Sequence, residues 1–255
     1  MRKQAEINKV AWEYRAYDFW NRTPPDEKAM EIKQDPLARF HLHREFFDQG
    51  RVFGKKIANP CGSNGRMAVS LALLGADVTV FDISEENARY ARELATEAGV
   101  KIEYVLGDFC ETDIAKYNKS FDIVYAEGGI THYFSDMDAL AKVLFSITKK
   151  NGLLILSDFH PYRKVNRTGS EMMSVKCTDG DYFDSRLHNV NVAYQHLFPQ
   201  DEQREFPQCQ CRHYTMGEIV NAVITAGFTM RKLLEHPSYE DAKLPGLYTI
   251  LACRE

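Results

Sequence analysis

Asp82 closes the short apolar run Val78-Thr79-Val80-Phe81. Upstream of it lies a turn of small residues, Asn59-Pro60-Cys61-Gly62-Ser63-Asn64-Gly65, between another apolar run and a helical pattern. Small residues let a backbone come close to a ligand. A carboxylate at the tip of the second strand can take hydrogen bonds from the two hydroxyls of a ribose. The chemistry suggested is the grip of a nucleoside. Glu127-Gly128-Gly129 stands at the end of a later apolar run, with His132, Tyr133 and Phe134 just after it, and Asp158-Phe159-His160-Pro161 ends another. An imidazole can accept a proton near neutrality. This makes His160 and His132 candidate catalytic bases, with Glu127 or Asp158 orienting or accepting. The plain alternative is that each histidine locks a strand end. Cys209-x-Cys211-x-His213, with Cys177, presents soft ligands that could hold zinc or a metalloid. Its spacing fits no common structural zinc pattern, and alternation at two residues also puts these side chains on one face of a strand, so no metal is assigned.

The elements that must position these residues alternate. Strands are expected at 56–60, 77–82, 101–106, 121–126 and 152–159, with helices between them, Ser84 capping the second. Such alternation demands right-handed crossovers and a mostly parallel sheet covered by helices on both faces, an α/β Rossmann-like class. Residues 4–21 read as one helix, broken by Thr23-Pro24-Pro25-Asp26 before a second helix. Between about 160 and 212 the rhythm fails, and a connection of that length is usually functional or carries small strands of its own. A helix and two strands follow. The expected organisation is 1–50 as a helical lid, 51–159 as the binding core, 160–213 as a substrate-covering insertion, and 214–255 completing the sheet.

Composition narrows the partners. A chain of 255 residues that is 44% hydrophobic suits one elaborated domain. Its 32 basic and 36 acidic residues give a net charge of −4, with no basic cluster interleaved with aromatics, which argues against nucleic acid. The amino terminus lacks the apolar core of a signal peptide, and no apolar stretch would span a bilayer. Six cysteines scattered along the chain read as reduced thiols, so a cytoplasmic protein without a membrane partner is expected.

The ordered motifs resemble the class I S-adenosylmethionine-dependent methyltransferases, in the small-molecule branch with a methyltransferase-11-type core. The resemblance rests on Ile57 through Arg66, on Leu71 through Ser84, on Gly107-Asp108-Phe109, on Phe121 through Gly129 and on Lys149 through Leu156, and it covers roughly residues 52–160. It implies a seven-stranded sheet with an antiparallel last strand, S-adenosylmethionine as cofactor, and methyl transfer to an oxygen, nitrogen or sulfur of a small, enclosed acceptor. By the same likeness Asn59, Cys61, Gly62, Gly65, Asp82, Ile83, Glu127 and Gly128 would line the cofactor, Asp108 and Phe109 would hold its adenine, and His160 would face the acceptor. Tyr14 and Tyr17, three apart on a helix, would close a lid over the sulfonium, since an aromatic face attracts a cation. Two departures stand out: Cys61 and Ser63 occupy positions that are usually glycine, and Asn59 replaces the usual acid. A dinucleotide site would need a third glycine where Arg66 stands. The alternatives are a thiol- or metalloid-directed methyltransferase using Cys177, Cys209 and Cys211, and a cofactor-binding regulator without transferase activity.

Overall fold

Ile57, Ala58 and Asn59, like Val78, Val80 and Phe81, are buried, as residues in the middle of a parallel sheet must be. The computed structural model describes residues 3–111, 113–165 and 180–255. Four helices, α1 (Lys3–Glu13), α2 (Ala16–Trp20), α3 (Pro25–Gln34) and α4 (Gln49–Val52), precede β1 (Lys56–Pro60). The alternating part then runs through α5 (Arg66–Leu73), β2 (Asp77–Asp82), α6 (Glu85–Ala98), β3 (Glu103–Leu106), β4 (Phe121–Glu127), α7 (Met137–Ile147) and β5 (Thr148–Phe159). A two-stranded antiparallel pair, β6 (Leu187–Val190) and β7 (Cys209–Arg212), precedes α8 (Met216–Thr225), β8 (Thr229–Pro237) and β9 (Pro245–Cys253).

The seven main strands are ordered β3-β2-β1-β4-β5-β9-β8. All pairings from β3 to β5 are parallel, and β9 runs antiparallel to both of its neighbours. The order reverses between β1 and β4, and open α/β sheets bind ligands in the crevice at the carboxyl ends of such strands. Asn59 and Glu127 stand at those ends.

Local chemistry explains the element limits. Ser84 Oγ accepts from Asn87 N at 3.2 Å to start α6, and Gly99 ends it in the left-handed region at φ 75°. Thr215 and Glu218 form a reciprocal capping box on α8. The helix expected over 4–21 is instead two: Arg15 adopts φ 55° and breaks it. β5 begins earlier than expected, because Thr148 already pairs with Phe121 before a register shift to Ile123 and Leu153.

One face of the sheet packs against α7 and α8 through Leu140, Leu144, Ile219 and Val223. The other meets α5 and the segment after α3 through Leu71, Phe40 and Phe47. That segment is tied down by His43, whose ring reaches Tyr125 Oη at 3.1 Å and Thr249 Oγ1 at 3.0 Å. Burial pushes the pKa of His43 down to about 4, so it is neutral at physiological pH. A separate apolar cluster joins Ala11 and Ala16 of the amino-terminal helices to Val190, Tyr194, Phe198, Phe206, Cys209 and Cys211 of the insertion.

Candidate active site

A cavity of about 340 Å³ opens at the switch point. Its floor is the turn after β1, which alternates backbone hands: Cys61, Ser63 and Gly65 have φ of 50°, 47° and 72°. For non-glycine residues this conformation costs roughly 1–2 kcal/mol each, so Cys61 and Ser63 are held here against local strain. Gly62 cannot be replaced so easily: a Cβ there would lie 2.4 Å from Asn59 Oδ1 and 2.8 Å from Val80 Cγ1. At Gly65 a Cβ would meet Ala91 Cβ at 2.6 Å, so this residue sets the close packing of the turn on α6.

Asp82 faces the turn and fastens it. Its Oδ2 accepts from Ser63 N at 2.9 Å and its Oδ1 from Ser84 N at 3.0 Å, with Asn87 Nδ2 at 3.4 Å. Burial raises its pKa, and the hydrogen bonds from Ser84, Ser63 and Asn87 oppose that rise. Ile83 lies beside it in the wall. Asn59 donates Nδ2 to Tyr125 O at 3.1 Å, which leaves Oδ1 buried without a partner. Ser63 Oγ and Arg66 Nε are buried and unpartnered as well. Buried polar atoms in native proteins are nearly always satisfied, so three such atoms on residues of one wall fit a polar ligand that supplies what the chain does not. Asp108 and Phe109 lie at the far end of the cavity. There Asp108 Oδ1 accepts from Cys110 N at 3.0 Å, as a residue capping the turn would, and Phe109 packs on Phe81 with ring centres 5.2 Å apart.

Glu127 and Gly128 occupy the β4 side. Burial pushes the Glu127 carboxyl up to about 7, opposed by the Arg39 guanidinium and reinforced by Asp158. Sequence reasoning passed over Arg39, which sits among turns without periodicity, and quoted Arg66 only for its place in the glycine register. Both line the cavity. They could hold a carboxylate there.

The amino-terminal helices present other residues to the cavity than expected. Tyr14 and Tyr17 do not line the cavity. The break at Arg15 turns them outward: Tyr14 Oη donates to Glu205 at 3.2 Å, and Tyr17 Oη donates to Glu93 at 2.5 Å beneath the Arg89 guanidinium. Trp12 and Trp20 of the same aromatic stripe line it instead. Trp20 Nε1 donates to Asn87 Oδ1 at 2.8 Å, and Asn87 in turn reaches Asp82, so α2 is tied to the start of α6 and to the carboxylate at the tip of β2.

α1 is latched to the insertion. Asn8 Oδ1 accepts from Gln210 N at 2.7 Å, Asn8 Nδ2 donates to Gln210 O at 3.0 Å, and Gln4 Nε2 donates to the same carbonyl at 2.9 Å. The two side chains complete the open edge of β7 as a neighbouring strand would. Asn8→Ala should therefore strand the Gln210 amide, at a cost of about 1–3 kcal/mol. Amide exchange across α1 should quicken while exchange in β1 and β4 stays unchanged.

Both candidate histidines lie outside the cavity lining. His160 accepts from Tyr162 N through Nδ1 at 3.1 Å, and its Nε2 lies 2.9 Å from Glu235 Oε1 on β8, so it braces the end of β5. Burial lowers its pKa, and Glu235 opposes the shift. His132 is buried behind Tyr133, at a ring-centre distance of 4.2 Å. Tyr133 and Phe134 do reach the cavity. They are held there by Asp158, whose Oδ2 accepts from Ile130 N, Thr131 N and Thr131 Oγ1 at 2.9, 2.7 and 2.7 Å. Cys209 and Cys211 share one face of β7, both fully buried among apolar side chains. Burial pushes the Cys209 thiol up to about 12, which removes it as a nucleophile at neutral pH. Cys177 lies outside the described residues. Among the described residues, no group of three or more ligating side chains is arranged to hold a metal ion.

Sheet order, switch-point cavity and acid-tipped β2 define an open α/β protein built to hold a nucleoside. Residues 60–156 match the methyltransferase domain family of the methyltransferase-11 type. That segment is therefore similar to a class I methyltransferase domain. It is 33% identical over 108 residues to a ubiquinone biosynthesis O-methyltransferase from Photobacterium profundum, a stretch covering 42% of this chain and 45% of that protein. It is 30% identical over 115 residues to the enzyme of the same name from Photorhabdus laumondii, covering 45% and 47%. The chain thus spans about half the length of the curated relatives it matches. Solved structures share the fold more widely. An S-adenosylmethionine dependent methyltransferase from Mesorhizobium loti superimposes with a TM-score of 0.61 at 19% identity, over 80% of this chain and 92% of that one. Magnesium protoporphyrin IX methyltransferase from Synechocystis PCC 6803, solved with bound S-adenosylhomocysteine, gives 0.61 at 15% identity over 99% and 100%.

Proposed function

We propose that the protein uses S-adenosylmethionine to methylate an oxygen of a small-molecule acceptor. The observation that carries this reading is the placement of Asp82 and Glu127 on one cavity at the switch point, inside the segment that matches the methyltransferase domain. When bound, S-adenosylmethionine supplies a methyl group on a sulfonium, ready for in-line displacement. Asp82 would take the ribose hydroxyls, Asp108 and Phe109 the adenine edge, and Asn59 Oδ1 an ammonium proton that it can accept as a carbonyl. Arg39 and Arg66 would pair with the carboxylate of the amino-acid part.

Trp12, Tyr133 and Phe134 would wall the acceptor side and exclude water, so that alignment supplies much of the rate, for which effective molarities correspond to roughly 7–11 kcal/mol. Glu127, titrating near neutrality, is poised to take the proton of an acceptor hydroxyl, a contribution of about 10²–10⁴-fold. Oxygen is preferred over nitrogen or sulfur because the relatives above are named O-methyltransferases. Among the described residues no helix is long and apolar enough to cross a membrane. A cytoplasmic setting belongs to the same reading, as it would keep the five described cysteines as free thiols.

The test is calorimetry with S-adenosylhomocysteine followed by turnover of methyl-labelled cofactor against phenols, alcohols, amines and thiols. Cofactor binding with label transferred to a hydroxyl supports the proposal. Binding without transfer to any acceptor class would favour a regulator, and no binding would end the reading.

A further inference from the structure

Asn87 stands between a group that can only donate and one that can only accept. Trp20 Nε1 donates to its Oδ1 at 2.8 Å, while its Nδ2 donates to Asp82 Oδ1 at 3.4 Å. An indole nitrogen offers no acceptor and an ionised carboxylate no donor, so the amide fits in one orientation only, with its nitrogen toward the tip of β2. A leucine would leave both partners bare, and an aspartate would set a second negative charge against the first. The start of α6 does not call for this side chain: Asn87 N donates to Ser84 Oγ at 3.2 Å, a bond that any residue but proline could make. What the amide serves is Trp20 and Asp82.

The other donors to Asp82 differ in kind. Ser63 N and Ser84 N are backbone groups of the turn after β1 and of the entry to α6, so the course of the main chain sets them. Asn87 is a side chain whose direction is set from α2. Trp20 itself lines the cavity, with the Arg66 guanidinium 5.3 Å from its ring centre. Burial works against the ionised form of Asp82, and the Asn87 amide works for it. A carboxylate takes hydrogen bonds from two hydroxyls only while it is ionised and fixed in direction. How α2 sits therefore bears on how Asp82 holds a sugar.

We propose that Asn87 is a positioning residue for the ribose grip: held one way round by Trp20, it fixes the Asp82 carboxylate for the ribose hydroxyls and so couples the seating of α2 to the sugar of the cofactor. This deepens the proposed function and rests on its cofactor. Calorimetry of the full chain with S-adenosylhomocysteine and with its 2′,3′-dideoxy analogue, which has no hydroxyl for Asp82, separates positioning from plain support of the wall. Asn87→Ala should weaken S-adenosylhomocysteine about three- to tenfold, the range for one lost hydrogen bond, and leave the analogue within about twofold of its parent affinity. The loss should grow as pH falls. With one donor gone the pKa of Asp82 rises, so the variant loses that charge at a higher pH than the parent does.

Trp20→Phe keeps an aromatic ring and removes the N–H that orients the amide, and it should give the same pattern should Asn87→Ala not fold. Coupling between two sites is reciprocal. In the parent chain S-adenosylhomocysteine should therefore slow hydrogen exchange of the Trp20 indole N–H, assigned in NMR spectra by its loss in Trp20→Phe, and the dideoxy analogue should not. A folded variant that loses equal affinity for both ligands, or none for either, overturns the proposal. So does indole exchange that slows alike with both. A parent chain that binds neither ligand ends the cofactor reading and this inference with it, whereas a parent that binds S-adenosylhomocysteine beside an Asn87→Ala chain of unchanged selectivity ends this inference alone.

Discussion

Asp82→Ala should lower the affinity for S-adenosylmethionine by one to two powers of ten. Hydrogen bonds to a charged group contribute about 1.5–3 kcal/mol, and Asp82 puts a carboxylate into the cavity wall at the tip of β2. The same change frees Ser63 N and Ser84 N, so the turn after β1 loses its fastening to β2 as well as the ribose contact. Asp82→Asn is not a gentler substitute. Both carboxylate oxygens already accept backbone N–H groups, and an amide would turn a donor against one of them. Calorimetry with S-adenosylhomocysteine checks both variants, with circular dichroism to confirm folding. Affinity equal to that of the parent chain in folded Asp82→Ala would remove this residue from the site.

The second large effect concerns Glu127. Its folded pKa of about 7 lies above its ordinary value of 4.5, so between these limits the folded chain binds more protons than the unfolded one. Stability therefore falls as pH rises through that window. The full span corresponds to about 3 kcal/mol at most, because a pKa unit is about 1.4 kcal/mol and water in the cavity lessens the burial. Glu127→Gln should remove the loss: denaturation at about pH 8 should find it more stable than the parent, and near pH 4 the difference should vanish. A positively charged ligand beside Glu127 favours its ionised form. Binding S-adenosylmethionine near pH 6.5 should therefore release a proton, seen as a dependence of the calorimetric enthalpy on the ionisation enthalpy of the buffer, and Glu127→Gln should abolish it. A parent chain that binds the cofactor with no proton release would show that this carboxyl does not face its charge.

Much of the nucleoside side was legible because it rests on strand tips. Buried parallel strands are short apolar runs with sharp ends, so Asn59, Asp82 and Glu127 could be placed by position in the chain, and all three line the cavity. The amino-terminal helices were less legible. One left-handed residue, Arg15, redirected the helix, and helical spacing alone could not show that Trp12 and Trp20 would face inward while Tyr14 and Tyr17 faced out. Arg39 lay in a stretch of turns, where no period tells which way a side chain points. His160 stands outside the cavity lining for a reason the sequence hides: Glu235, beside its ring, comes from β8, and contacts between distant segments leave no trace in local pattern. The alternation of Cys209 and Cys211 was read correctly as one strand face, and burial decided that the face is apolar.

The place of β9 bears on how the chain comes to its final shape as it leaves the ribosome. This strand is made after the other eight, yet it sits inside the sheet, between β5 and β8. While residues 245–253 are still in the exit tunnel, β8 has no partner and the edge of β5 is bare, which is a template for wrong pairing. The half that contains β1 to β4 can form early, but the sheet is completed only when this penultimate, late-made strand slots in between β5 and β8, so nascent chains stalled before that point should need chaperone cover.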